Sequence, residues 1–166
     1  APILTQGGVS RPLAAEVSDG NETALLALPA GEGVVSAQEL IGAEHYHKAI
    51  EQWAAATVTA PFELGRSHDG RPIEALRFGN PASPHLVVLL GRQHPPEVTG
   101  AIAMEAFVDR IAAMVADEPA LAGRYQFMVV PLLNPDGVAR GHWRQIWAGA
   151  VSTAVGADSA SPERRR

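Results

Sequence analysis

The sequence predicts an α/β fold, and three observations lead there. Leu86–Leu90 (LVVLL) is an unbroken apolar run of strand length. Residues 98–115 then carry apolar side chains at helical spacing, at Val98, Ala101, Ile102, Val108, Ile111, Ala112 and Val115. Residues 127–133 (FMVVPLL) are a second apolar run. Strand, helix and strand in that order make a βαβ unit, whose crossover places two parallel strands in a sheet covered by helices.

The elements follow in chain order. Residues 1–36 are rich in Gly, Pro, Ala and acidic residues with little periodicity, which predicts a loosely structured lead-in with at most a short strand at 23–28. Residues 36–55 predict a helix. Ser36 is placed to cap it and Glu39 to complete a capping box, with Leu40, Ile41, Ile50 and Trp53 as the apolar face. His45 and His47 are two apart and do not share a helix face, so they predict solvated or partly packed side chains rather than a metal pair. Residues 62–64 and 73–78 predict a hairpin turning at Asp69-Gly70, a pair that favours positive φ. The LVVLL run reads as a strand buried on both faces. Pro131 inside the second run predicts a bulge or an edge.

Composition bounds what the chain does. Its 166 residues suffice for one domain with a real core, and 46% hydrophobic residues is ordinary for a globular protein. A formal net charge of -5 argues against non-specific nucleic-acid binding, which needs a basic face. No apolar run approaches the roughly 18 residues of a membrane span. There is no cysteine, so disulfides and thiolate metal sites are excluded and any zinc must be held by His, Asp or Glu. Residues 1–18 show no basic segment followed by an apolar one, and the compartment stays unassigned. Asn21-Glu22-Thr23 matches the glycosylation sequon, a match expected by chance.

Ligand sites in open α/β sheets lie beyond the carboxyl ends of the strands. Two loops occupy that position. After the first strand comes His94-Pro95-Pro96-Glu97. Neutral imidazole and carboxylate suit zinc, and two prolines stiffen the connection between them. The same residues also read as a solvated histidine and a glutamate meeting a helix dipole. After the second strand comes Asn134-Pro135-Asp136-Gly137, by its chemistry a turn in which Asp caps and Gly takes positive φ. Beyond it, Trp143-Arg144 could present a fixed positive charge to a developing oxyanion, or be a surface arginine.

Together these motifs resemble the M14 zinc carboxypeptidases: HxxE after a buried strand, NPDG after the next, then an aromatic–Arg pair. Leu64-Gly65-Arg66-Ser67 with Gly70-Arg71-Pro72-Ile73 resembles the hairpin before the family's catalytic strand. The resemblance covers residues 45–144 and is to the N-terminal part of the family's domain. It implies a partial α/β/α sandwich with a mostly buried mixed sheet, truncated here. It implies that His94 and Glu97 are metal ligands for Zn²⁺ and that Arg144 is both catalytic and substrate-binding. Asn134, Asp136 and Gly137 would shape their loop. The reaction it implies is hydrolysis of the C-terminal bond of a peptide or protein.

After Arg144 the resemblance stops. The family's Gly-Val-Asp segment, its Asn-Arg pair, its third ligand and its general base are not recognisable, and no His follows His142. The expected organisation is a lead-in at 1–36, a partial catalytic domain at 37–147 and a low-complexity tail at 148–166. Codons for Ala150-Val151-Ser152-Thr153 exist that read Gly-Val-Asp in a shifted frame, so an out-of-frame tail stands beside truncation and divergence. Two ligands without a general base predict a chain that is inactive alone. Two alternatives remain: a non-catalytic domain with a carboxypeptidase-like fold, and a related zinc amidohydrolase or deacylase.

Overall fold

The structure is a computed structural model that describes residues 2–18, 20 and 22–142. Trp143, Arg144 and the tail at 148–166 lie outside the described residues, as does Asn21. The chain divides into two units, Ala1–Ile41 and Gly42–Arg166.

The first unit is built of short antiparallel strands: β1 (Ile3–Gln6), β2 (Val9–Pro12), β3 (Ala15–Val17), β4 (Ala24–Leu26) and β5 (Val34–Ser36). β1 is the centre of a three-stranded sheet in the order β2-β1-β5, and β3 pairs with β4. Gly7 and Gly8 both take positive φ and turn β1 back into β2. The lead-in therefore holds five strands where the sequence suggested one. Strands of three or four residues are too short for a period-2 pattern to be read.

The second unit opens with α1 (Ala43–Thr57), capped at Gly42 rather than at Ser36. Ser36 is instead the last residue of β5, paired with Ile3, and its hydroxyl donates to the Gln38 carbonyl. The helix ends at Val58, which takes the left-handed conformation and returns its amide to Ala54 and Ala55. A hairpin follows, β6 (Phe62–Arg66) and β7 (Pro72–Gly79), with Gly70 at φ +77° in the turn and an irregularity between Glu63 and Gly65. Then come β8 (Leu86–Leu90), α2 (Val98–Asp117), α3 (Pro119–Arg124), β9 (Gln126–Val130) and α4 (Pro135–Arg140). The sheet order is β6-β7-β9-β8. β8 runs parallel to β9, and the other pairs are antiparallel. The fold is thus α/β with a mixed sheet, and the βαβ unit is β8–α2–β9.

Register explains the core. Val87, Phe127 and Phe78 are neighbours across three strands, as are Leu89, Val129 and Leu76. These side chains share one face and pack with Ile50 and Trp53 of α1 and Val108 of α2. Each fully buried side chain of this size contributes roughly 1.5–3 kcal/mol. The opposite face is different. Leu86, Val88 and Leu90 remain 47–54% exposed, so β8 is not buried on both faces as the sequence suggested. It is a terminal strand, and the described helices α1 and α2 cover only the face that carries Val87 and Leu89. Ile102, expected on the buried face of α2, is also exposed. The second apolar run forms a strand only as far as Val130; Pro131 ends it, having no amide to continue the ladder.

Candidate functional site

The loops after β8 and β9 are laced together where the parallel strands end. Gly91 donates its amide to Val130, Leu133 to Gly91, and Asn134 to Arg92. A Cβ on Gly91 would lie 2.6 Å from the Pro131 carbonyl oxygen, so only glycine admits this approach of two backbones.

The first loop brings His94 and Glu97 together. His94 Nδ1 lies 2.8 Å from Glu97 Oε1. The Glu97 amide donates to the His94 carbonyl in a tight turn, and Glu97 is the N-cap of α2. Pro95 is buried and Pro96 half-buried, while the His94 and Glu97 side chains are 21% and 48% exposed, within reach of solvent and of an ion. Arg92 adopts φ +44°, a left-handed conformation uncommon for a residue with a Cβ. Its side chain is 7% exposed and donates through Nε to the Pro95 carbonyl at 3.0 Å and through Nη1 to the Tyr46 hydroxyl at 2.9 Å. Burial pushes the Tyr46 phenol above its ordinary value, against the lowering influence of Arg92.

The second loop is more than a turn. Pro135 begins α4, and Asn134 caps it by accepting from the Gly137 amide at 2.9 Å. The amide group of Asn134 also donates to the Gln93 carbonyl, which joins the second loop to the first. Asn134 is therefore the cap, not Asp136, and Gly137 is helical rather than at positive φ. Gly137 matters for space: a Cβ there would meet Pro95 Cγ at 2.6 Å and Asn134 Nδ2 at 2.7 Å. Asp136 faces the hairpin. It accepts from Ser67 Oγ (2.7 Å), the Asp69 amide (3.0 Å) and Arg71 Nη1 (2.6 Å). Asp69 in turn pairs with Arg71 and Arg140. The hairpin turn and the NPDG segment are thus one charged cluster. Its signal in the sequence was the Asp-Gly-Arg of one loop and the Pro-Asp-Gly of the other, but spacing alone could not pair them.

His45 and His47 stand elsewhere, pairing with Glu105 and Glu74. Tyr46 and Arg92 are what sequence reasoning missed at this site; a Tyr inside a helix and an Arg in a loop give no pattern to read.

The donors present suit zinc in kind. Nitrogen and carboxylate oxygen are ordinary zinc ligands, and neighbouring ligands at bonds of about 2.0–2.2 Å stand roughly 3.3 Å apart in a tetrahedral site. The 2.8 Å contact of His94 with Glu97 is shorter than that, so an ion held by both would take the place of their direct hydrogen bond. The pair is short in number. Among the described residues no group of three or more His, Asp or Glu stands together to hold an ion. No helix among them is long and apolar enough to cross a membrane.

A mixed sheet whose candidate loops follow the carboxyl ends of two parallel strands has the arrangement in which open α/β sheets place their ligand sites. The chain belongs to the zinc carboxypeptidase family, M14, whose model matches residues 46–159. It is similar to cytosolic carboxypeptidase 2 of Macaca fascicularis, with 38% identity over an alignment of 93 positions that covers 52% of this chain and 11% of that protein. It is also similar to cytosolic carboxypeptidase 3 of Bos taurus, with 41% identity over 63 residues, 38% of this chain and 6% of that one. Among solved structures, a metallo-carboxypeptidase from Burkholderia cenocepacia superposes with a TM-score of 0.73 at 25% identity, covering 90% of this chain and 42% of that one. One from Pseudomonas aeruginosa shares the fold at a TM-score of 0.70 and 22% identity, over 90% and 41% of the two chains. The chain thus spans 6–11% of the length of these cytosolic relatives and less than half of these structures.

Proposed function

We propose that the chain forms part of a zinc-dependent metallocarboxypeptidase that removes C-terminal residues from a peptide or protein. The observation that carries this reading is the convergence of His94 Nδ1 and Glu97 Oε1 at 2.8 Å on a stiff turn beyond β8. His94 and Glu97 would hold the ion. Zinc, when bound, supplies Lewis acidity and lowers the pKa of water. The chain's own residues keep the two side chains on one side of a proline-stiffened turn, 21% and 48% exposed. Arg144, outside the described residues, is the positive charge proposed to meet the substrate's carbonyl oxygen and to help bind substrate. A third protein ligand and a proton acceptor are needed for turnover, and the described residues group neither with His94 and Glu97.

The test is zinc binding by the full chain, measured by competition with a chromophoric chelator. We expect stoichiometric but weak binding that His94→Ala and Glu97→Ala each reduce at least tenfold. Binding that both variants leave unchanged would overturn the ligand assignment. The same chain is expected to show no carboxypeptidase turnover. Turnover lost on adding a chelator, and lost in Glu97→Ala, would show that two visible ligands are not the whole site.

A further inference from the structure

The turn carrying His94 and Glu97 is short and is closed on itself by the 2.8 Å contact of His94 Nδ1 with Glu97 Oε1. Its backbone also bonds from Glu97 N to the His94 carbonyl at 3.2 Å and from Val98 N to the Pro96 carbonyl at 2.9 Å. Prolines at 95 and 96 remove two amide donors from the four-residue segment. The buried Arg92 is placed to fix where the turn sits against the body of the unit, because its Nε donates to the Pro95 carbonyl inside the turn.

The contacts of Arg92 reach the second loop, the turn and α1. Its carbonyl accepts the Asn134 amide of the second loop at 3.2 Å. Its Nε donates to the carbonyl of Pro95, between the two candidate ligands, at 3.0 Å. Its Nη1 reaches the Tyr46 hydroxyl on α1 at 2.9 Å, with the guanidinium 5.8 Å from the centre of the Tyr46 ring. Tyr46 is only 1% exposed and is fixed within α1. The left-handed backbone at Arg92 is sustained by these contacts, an arrangement typical of functional sites.

We infer that Arg92, anchored on Tyr46, is the positioning residue that holds the His94–Glu97 turn in its metal-binding conformation. The inference rests on the ligand assignment proposed above and adds a role to residues that do not themselves ligate. A planar guanidinium donates from Nε and Nη1 at once along two fixed directions. A lysine ammonium keeps the charge but cannot span both acceptors in that geometry. Groups that orient a ligating segment typically change metal affinity by about 10–100-fold when removed.

The experiment compares the full chain with Arg92→Met, Arg92→Lys, Tyr46→Phe and His94→Ala, with two readouts. One is zinc affinity by chelator competition; the other is amide hydrogen exchange without metal, read at Glu97 and Val98 against Val129 in the sheet. Both Arg92 variants are expected to bind zinc at least tenfold more weakly and to exchange the Glu97 and Val98 amides at least tenfold faster, with Val129 unchanged. Tyr46→Phe, which keeps the ring and removes one acceptor, should move both readouts the same way by a smaller factor. Equal loss of protection at Val129 would mean that Arg92 only supports the fold, and would overturn the proposal. Wild-type zinc affinity in Arg92→Met, with binding still lost in His94→Ala, would overturn the positioning role and leave the ligand assignment intact. Unchanged binding in His94→Ala would instead sink the ligand assignment, and the positioning role with it.

Discussion

Asp136 receives a hydroxyl, a backbone amide and a guanidinium while being 4% exposed. Burial by itself pushes its carboxyl up. The bonds from Ser67, Arg71 and the Asp69 amide, together with the Arg71 charge, outweigh that, and the group sits below its ordinary 3.8. A carboxyl whose folded pKa is depressed adds stability that is complete above its unfolded value and is lost as pH falls through the folded one. Asp136→Asn should therefore cost roughly 1.5–3 kcal/mol near neutral pH. The cost should shrink below about pH 4, as the wild-type carboxyl takes up its proton. Urea melts at pH 7 and pH 3 check this, and an equal cost at both would mean that charge is not what Asp136 supplies. Gly137 fails differently when changed. Because Pro95 and the Asn134 side chain leave no room for a Cβ, Gly137→Ala should destabilise by about 1–3 kcal/mol through overpacking. Thermal unfolding of the variant measures it, and an unchanged Tm would show that the loops move apart freely.

Between elements, α1 and α2 are tied at two points. Trp53 donates its indole N–H to Asp109 at 2.6 Å, and His45 meets Glu105 at 2.9 Å. The second pair is well exposed and should be worth less than about 1 kcal/mol. The first sits beside the core, where Trp53 is 2% exposed. Trp53→Phe removes the donor and part of the ring, and should cost roughly 1–3 kcal/mol by leaving a partly buried acceptor unsatisfied. His45→Ala should move stability far less, and denaturant midpoints of the two variants test the ranking. The helix start shows why element boundaries were harder to read than element types. Ser36 with Glu39 makes a plausible capping box, but Ser36 is committed to a strand, and the helix waits for Gly42. Strand pairing is a non-local interaction, and it overrides a local cap.

Among the described residues, the β6-β7-β9-β8 sheet carries one well-covered face, and on the other face the apolar side chains of β8 are left open. Leu86, Val88 and Leu90 stand half exposed in a row on a terminal strand, and such a row is a template for association. The chain should self-associate at micromolar concentration, and Val88→Lys should reduce that without loss of secondary structure. Sedimentation velocity at several concentrations decides; a monomer throughout would show that the face is tolerated by water as it stands.

What the sequence determined by itself was local or periodic. Apolar runs and helical spacing gave β8, α2 and β9 and their parallel order, because period and handedness are properties of short segments. Asp69-Gly70 gave the hairpin turn, because positive φ is a residue preference. The HxxE spacing, with its resemblance, gave His94 and Glu97 as a pair to look for. Only the tertiary structure decided what depends on approach between distant segments. It paired Asp136 with Ser67 and Arg71 across more than sixty residues of chain. It set Arg92 between Pro95 and Tyr46, and it left one face of LVVLL open. These follow from which surfaces come together in space, and no spacing along the chain encodes that.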